Sequence, residues 1–324
     1  MRFHLGPGVV AITLSAALAS ACVNALGDFD TGGSLADGGD VVDGAPDADA
    51  GATPADGAAS TDAISPDGAA FTDASDGGVG SEVGITDAGP LFDPTQLAGL
   101  AVWLDSDSTT YTLSQARVTG WRDKSSKGNS AKNQLPTMSP FPNPANPTFN
   151  NRATLHFDGS SYMYVLNSAS IQVGDGDFLV AMVASVAPGT TQLETLFEKH
   201  ETTSPFAGPA LYATPAKGDA VIAQGNGVVS QTTGINDGNA HYLAAWRSGA
   251  TLTVVTDRTQ SSGAVTPIAA TAGATKDLQL GMELSGTLQN YLVGDIAEVV
   301  VVVGGVPAAR ALALRDYMIR KYNL

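Results

Sequence analysis

The pattern of apolar and polar positions divides the chain near residue 91. Beyond it, runs rich in Val, Ile, Tyr, Phe, Trp and Thr recur between Gly, Pro, Asn and Asp, the signature of strands bounded by turns. Strands are predicted near 99–104, 118–122, 153–157, 162–166, 178–187, 193–199, 210–213, 220–223, 241–246, 252–256, 278–282 and 296–303. Two of these, 178–187 and 296–303, are almost unbroken apolar runs, expected at the centre of a sheet covered on both faces. One helix is predicted, from Pro307 to about Lys321. Gly304-Gly305 ends the strand before it, and Pro307 suits a first helical position. Ala311, Leu314 and Met318, with Ile319 beside them, form a stripe at helical spacing that should pack on a sheet. A dozen strands and one closing helix predict an all-β, two-sheet sandwich over residues 91–324. A stretch of 234 residues buries about 70–75% of its unfolded surface, so it needs no disulfides. Between strands, 135–149 carries five prolines and reads as a long connection of the kind that is often either functional or poorly ordered.

The N-terminal part has a different pattern. Arg2, an apolar stretch from Val9 to Leu18, and small residues before Cys22 predict a signal peptide over residues 1–22. The apolar stretch is about half the roughly 20 residues needed to span a bilayer. Ala19-Ser20-Ala21-Cys22 resembles the lipobox of bacterial lipoproteins, with Ala19 where Leu is usual. The resemblance implies lipidation at Cys22, attachment to a membrane through an N-terminal lipid, and an outer-membrane or cell-surface location. The alternative is an ordinary A-x-A cleavage site and a freely secreted product; Cys22 is the chain's one cysteine, and it would then be an unpaired thiol.

Charge changes the picture of the whole chain. Its formal net charge is −16, but residues 23–90 hold 13 Asp, one Glu and no Lys, Arg or His, and so account for −14. The predicted sandwich is nearly neutral, at −3. The acidic stretch repeats Thr-Asp-Ala and Asp-Gly-Ala units with almost no aromatics, which predicts a disordered, self-repelling linker. With no basic cluster on the sandwich, nucleic acid is not an expected partner.

Several short motifs occur in a familiar order. Gly99-Leu100-Ala101-Val102-Trp103-Leu104-Asp105 is followed by Trp121-Arg122-Asp123-Lys124-Ser125-Ser126, then by Leu155-His156-Phe157-Asp158-Gly159. Asp237-Gly238 precedes Ala240-His241-Tyr242, Gly294-Asp295-Ile296-Ala297-Glu298-Val299 comes late, and the chain closes on Arg320-Lys321-Tyr322. Together they resemble the laminin G-like and concanavalin A-like lectin/glucanase domains. The resemblance implies a jelly-roll sandwich of two antiparallel sheets and leaves the activity open.

Hydrolases of that group carry an E-x-D-x-x-E strand, which is missing here. Asp295 and Glu298 have odd spacing, expected to place them on opposite strand faces, whereas Glu194 and Glu198 have same-face spacing without the middle acid. No nucleophile elbow or phosphate loop is present. The expectation is therefore a non-catalytic binding module for a glycan or an envelope protein. A glycan hydrolase or a ligand-free structural component of the envelope are the alternatives. Trp121, Asp123, Tyr162 and Tyr164 are candidate ligand-binding residues, the two tyrosines sharing one strand face. No cofactor is required. Laminin G-like relatives hold calcium on rim loops, which makes Asp105, Asp107, Asp123 and Asp158 candidate ligands, although Asp at a strand end is also a turn former.

Overall fold

The strand Phe178–Val186 shows how the layers arise. All nine positions are buried. Phe178, Val180, Met182, Ala184 and Val186 enter the core between two sheets, while Leu179, Ala181 and Val183 lie in a second core on the opposite face. A strand without polar alternation must be covered twice, and this one is.

The computed structural model describes residues 92–324 except 175, 202–207, 216–219, 225–226, 232–233, 266–274 and 286. The predicted signal peptide, Cys22 and the acidic stretch 23–90 lie outside the described residues. In chain order the strands are β1 (Leu100–Asp105), β2 (Tyr111–Ser114), β3 (Arg117–Trp121), β4 (Ala131–Lys132), β5 (Phe141–Asn146), β6 (Arg152–Asp158) and β7 (Met163–Val165). They continue as β8 (Phe178–Val186), β9 (Glu194–Glu198), β10 (Pro209–Ala213), β11 (Ala220–Gln224), β12 (Gly227–Gln231) and β13 (His241–Ser248). The last are β14 (Thr251–Thr256), β15 (Thr259–Ala264), β16 (Leu278–Leu280), β17 (Glu283–Ser285), β18 (Thr287–Gln289) and β19 (Val293–Val303), followed by helix α1 (Ala308–Tyr322).

The first sheet runs β15-β14-β13-β8-β19-β6-β5, with β1 pairing the second half of β19. The second runs β12-β11-β10-β9-β16-β7-β4-β3-β2, and β17 and β18 form a separate hairpin. The protein is an antiparallel two-sheet sandwich with one C-terminal helix. Among the described residues there are more strands than the apolar pattern predicts, because β2, β4 and β15 are short or polar and held mainly by their neighbours' ladders. The proline-rich connection contains one of them: β5 pairs only β6, and a sheet edge is where Pro142 and Pro144 are tolerated. Pro307 sits at the helix N-cap rather than inside the first turn, with φ −57° and ψ 137°.

The outer face of the first sheet is closed by α1, through Leu314, Met318 and Ile319. Here a β-bulge overturns an expectation. Between Ile296 and Glu298 the pairing of β19 with β8 shifts by one residue, so Glu298 stands opposite Val183 on the helix-facing side. Asp295, opposite Ser185, shares that side, and the two carboxylates are not on opposite faces after all. Glu298 is fully buried and accepts four hydrogen bonds: from Trp103 Nε1 at 2.7 Å, Lys321 Nζ at 2.8 Å, and the Tyr317 and Tyr322 hydroxyls at 3.0 Å. Gly294, the second residue of the same strand, is a glycine because a side chain there would run into the Ser185 carbonyl.

Candidate functional site

Among the described residues, no helix lies over the outer face of the second sheet. One register row crosses this face through Gly120 on β3, Lys132 on β4, Tyr164 on β7, Gln279 on β16, Glu198 on β9 and Ala210 on β10. Their chain neighbours Trp121, Ala131, Val165, Leu278 and Phe197 belong to the inter-sheet core, which fixes the row as outward-facing.

Tyr162 and Tyr164 are half-buried and face one another, with ring centroids 6.3 Å apart and planes inclined by 28°. The alternation of β7 places them there: Met163 and Val165 go to the core. Lys132 Nζ lies 5.8 Å from the Tyr164 centroid. Partial burial raises both phenol pKa values; Tyr164 adds to the shift at Tyr162, and Asp277 adds to that at Tyr164. Leu166, the next residue on this face, is 50% exposed. The result is an aromatic strip with a cation and a carboxylate beside it.

Further along the row the face is covered. Gln279 is 5% exposed and Glu198 2%, and the Leu284 amide of β17 donates to Glu198 Oε2 at 2.8 Å. His200 Nδ1 lies 3.1 Å from Glu198 Oε1, and the other ring nitrogen pairs with the Tyr212 hydroxyl at 2.9 Å. Burial alone would depress the His200 pKa, but Glu198 outweighs it and leaves it raised. Glu283 is pushed up by burial, opposed by its bond from Asn290, and pushed further by the charge of Glu198. Glu194 does not join them. The pairing of β9 with β10 shifts between Leu211 and Tyr212, so Glu194 stands opposite the core residue Ala213 while Glu198 stands opposite Ala210 on the outer face. The expected same-face spacing is undone by that bulge. Burial raises the Glu194 pKa to about 7, against a bond from the Val293 amide.

The other sequence candidates are placed elsewhere. Trp121 is fully buried, and its indole N–H donates to the Asp105 carbonyl at 3.0 Å, so it offers no ring face to a ligand. Asp123 organises its turn: it accepts from the amides of Trp103, Ser125 and Asn129 and from the Ser125 hydroxyl. Asp105 meets Lys124 at 2.8 Å and Lys321 at 3.1 Å; burial resists its ionisation, but the two lysines hold its pKa below the usual carboxylate range. Asp107 caps the turn after β1 through Thr109, and Asp158 caps the turn after β6 through Ser160 while meeting Arg117 at 3.2 Å. Each aspartate is spent locally, and among the described residues no three His, Cys, Asp or Glu side chains converge as a metal site. Of the candidates, only Tyr162 and Tyr164 come together on an accessible face. Lys132, Gln279 and Glu283 have no sequence signal of their own, because the register that gathers them spans strands more than a hundred residues apart.

Comparison with protein-family models gives no match, and neither does comparison with curated proteins. Solved structures of similar shape include the binding domain of Paraclostridial Mosquitocidal Protein 1, at 9% identity and TM-score 0.49, covering 69% of this chain and 52% of that one. Trypanosoma rangeli sialidase in complex with sialic acid matches at 12% identity and TM-score 0.48, over 69% of this chain and 33% of that one. An arabinofuranosidase complexed with arabinofuranosyl-alpha-1,2-xylobiose matches at 13% identity and TM-score 0.47, over 64% of this chain and 51% of that one. The chain thus spans about half or less of these proteins, which include binding domains and enzymes, and no functional residue is carried across at such identities.

Proposed function

We propose that the sandwich is a non-catalytic carbohydrate-binding module, held at the surface of a cell envelope by a lipid on Cys22 and the acidic stretch 23–90. The observation that carries this reading is the half-exposed Tyr162–Tyr164 pair beside Lys132 and Asp277 on an uncovered sheet face. Aromatic faces pack against the C–H faces of sugar rings, and the neighbouring charged groups supply hydrogen bonds to hydroxyls. A glycan array probed with the full chain, with and without calcium, tests it. Binding that is lost in Tyr162→Ala and Tyr164→Ala supports the reading; an empty array, or binding indifferent to both substitutions, ends it, and pull-down of an envelope protein would then point to a protein ligand. The anchor is tested separately by Cys22→Ser, which should move the protein from the membrane fraction to the soluble one.

A second reading, glycoside hydrolysis, is favoured by one observation: Glu198 and Glu283 lie together on this face, and burial together with the charge of Glu198 keeps the Glu283 carboxyl inclined to hold its proton. Two neighbouring carboxyl groups, one of them inclined to keep its proton, are what such chemistry uses. Polysaccharide turnover abolished by Glu198→Gln would establish it.

A further inference from the structure

Buried charge elsewhere in the sandwich is balanced. Glu298 meets Lys321, Glu198 meets His200, and Asp123 is wrapped by amides. Lys199 reaches the Asn167 side chain and the Lys276 carbonyl, and burial lowers its pKa to about 8, against the nearby charges of Asp277 and Glu201. Arg247 differs. It lies on β13 opposite Phe178 and Leu252, both core residues, so its side chain points between the sheets at one end of the sandwich. It is 5% exposed. Nε donates to the Gly249 carbonyl at 2.7 Å, while Nη1 is buried and meets no acceptor. None of the ion pairs among the described residues includes it. Asp177, which anchors the same turn, accepts at Oδ1 from the Gly249 amide and makes no ion pair with the guanidinium.

A guanidinium cannot lose its charge to escape this situation, as a buried lysine does by shedding a proton and a buried carboxylate by taking one up. Leaving a cation buried without a counter-charge is strongly unfavourable, and water at its edge offsets only part of the loss. Among the described residues, the buried Thr195 Oγ1, Thr256 Oγ1 and Gln279 Oε1 also lack a partner, but they are neutral groups, of the kind that internal water commonly satisfies in proteins. We propose that Arg247 is the base of an oxyanion-binding subsite at this end of the sandwich, taking a carboxylate, sulfate or phosphate group against Nη1, which the Gly249 contact leaves without an acceptor. This subsite lies on the inner side of the first sheet and does not depend on the Tyr162–Tyr164 reading.

The chemistry is shared by acidic sugars and inorganic anions, and the test separates them. The full chain is titrated with sodium sulfate, sodium phosphate and sodium glucuronate at constant ionic strength, following the melting temperature and the NMR resonances of the Arg247 side chain. The subsite predicts a saturable rise in melting temperature together with movement of the Arg247 resonances, both missing in Arg247→Met. Glucuronate acting at lower concentration than sulfate and phosphate identifies an acidic sugar as the ligand; the reverse order identifies an inorganic anion. Sulfate stabilises proteins generally, so an equal rise in Arg247→Met overturns the proposal, as does the absence of any saturable response. Where Arg247→Met does not fold, the wild-type side-chain resonances decide alone, and their failure to move overturns it.

Discussion

The two outer faces of the sandwich begin from the same material and end differently. On the first sheet, every donor around Glu298 is used and α1 lies on top. On the second, the row through Lys132 and Tyr164 is left half-open, with an aromatic pair that stays half-exposed among the described residues. Both faces carry residues that look functional in a linear sequence. A face whose polar groups are all engaged with each other holds the fold together; a face that keeps aromatic surface and hydrogen-bonding groups available is one that can hold something else.

The contrast is most sharply broken at Glu298. Glu298→Ala leaves an indole N–H and two phenols without their acceptor and Lys321 with Asp105 as its remaining carboxylate, and should cost about 3–5 kcal/mol in denaturant unfolding. Glu298→Gln keeps acceptor capacity but removes the charge that Lys321 answers, and should cost less. Equal losses in the two variants would mean that shape rather than charge holds the helix. On the open face, Tyr164→Ala should leave unfolding within about 0.5 kcal/mol of wild type while weakening glycan binding on the order of tenfold, about 1.4 kcal/mol. A large stability loss there would make the pair part of the fold and erase the distinction between the faces.

The smallest effect concerns pH. His156 is raised by its bond to Asp295, opposed by burial; at His241 and His200 burial pulls down, but Asp257 with Asp237, and Glu198, win. A folded pKa above the unfolded value of about 6.5 gives stability that is complete below that value and lost as pH rises through the folded one. Glu194 and Glu283, also raised, act in the same direction from a lower starting point. Asp105, Asp158 and Asp237 are depressed and act oppositely, giving stability that is lost only as pH falls below the usual carboxylate range. The midpoint of urea unfolding should therefore be higher near pH 5.5 than near pH 8, and His241→Gln should flatten the difference. An unfolding midpoint that rises toward pH 8 would overturn this account.

The sandwich was legible wherever burial is written as an apolar run: β8, β19, β13 and the stripe on α1 are all apparent from sequence alone. Tyr162 and Tyr164 were legible too, since a strand's alternation is a local property. What escaped was set by single inserted residues. The irregularities at Leu196 in β9 and Ala297 in β19 each reverse a face assignment, moving Glu194 away from Glu198 and bringing Asp295 to the side of Glu298. Nothing local marks such a residue, because it is defined by the strand next door. The motif around Trp121 and Asp123 misled for a related reason: a tightly tied turn and a binding site use the same residue types, and only burial separates them.

The prolines of β5 have a consequence for crowding. An exposed sheet border is a template onto which an identical molecule can zip its own backbone, and the risk grows with the number of copies held side by side. Pro142 and Pro144 remove two backbone donors from the free margin of the first sheet, so a neighbouring copy finds an interrupted ladder there. The segment that reads in sequence as a long connection thus closes one margin of the first sheet against backbone pairing.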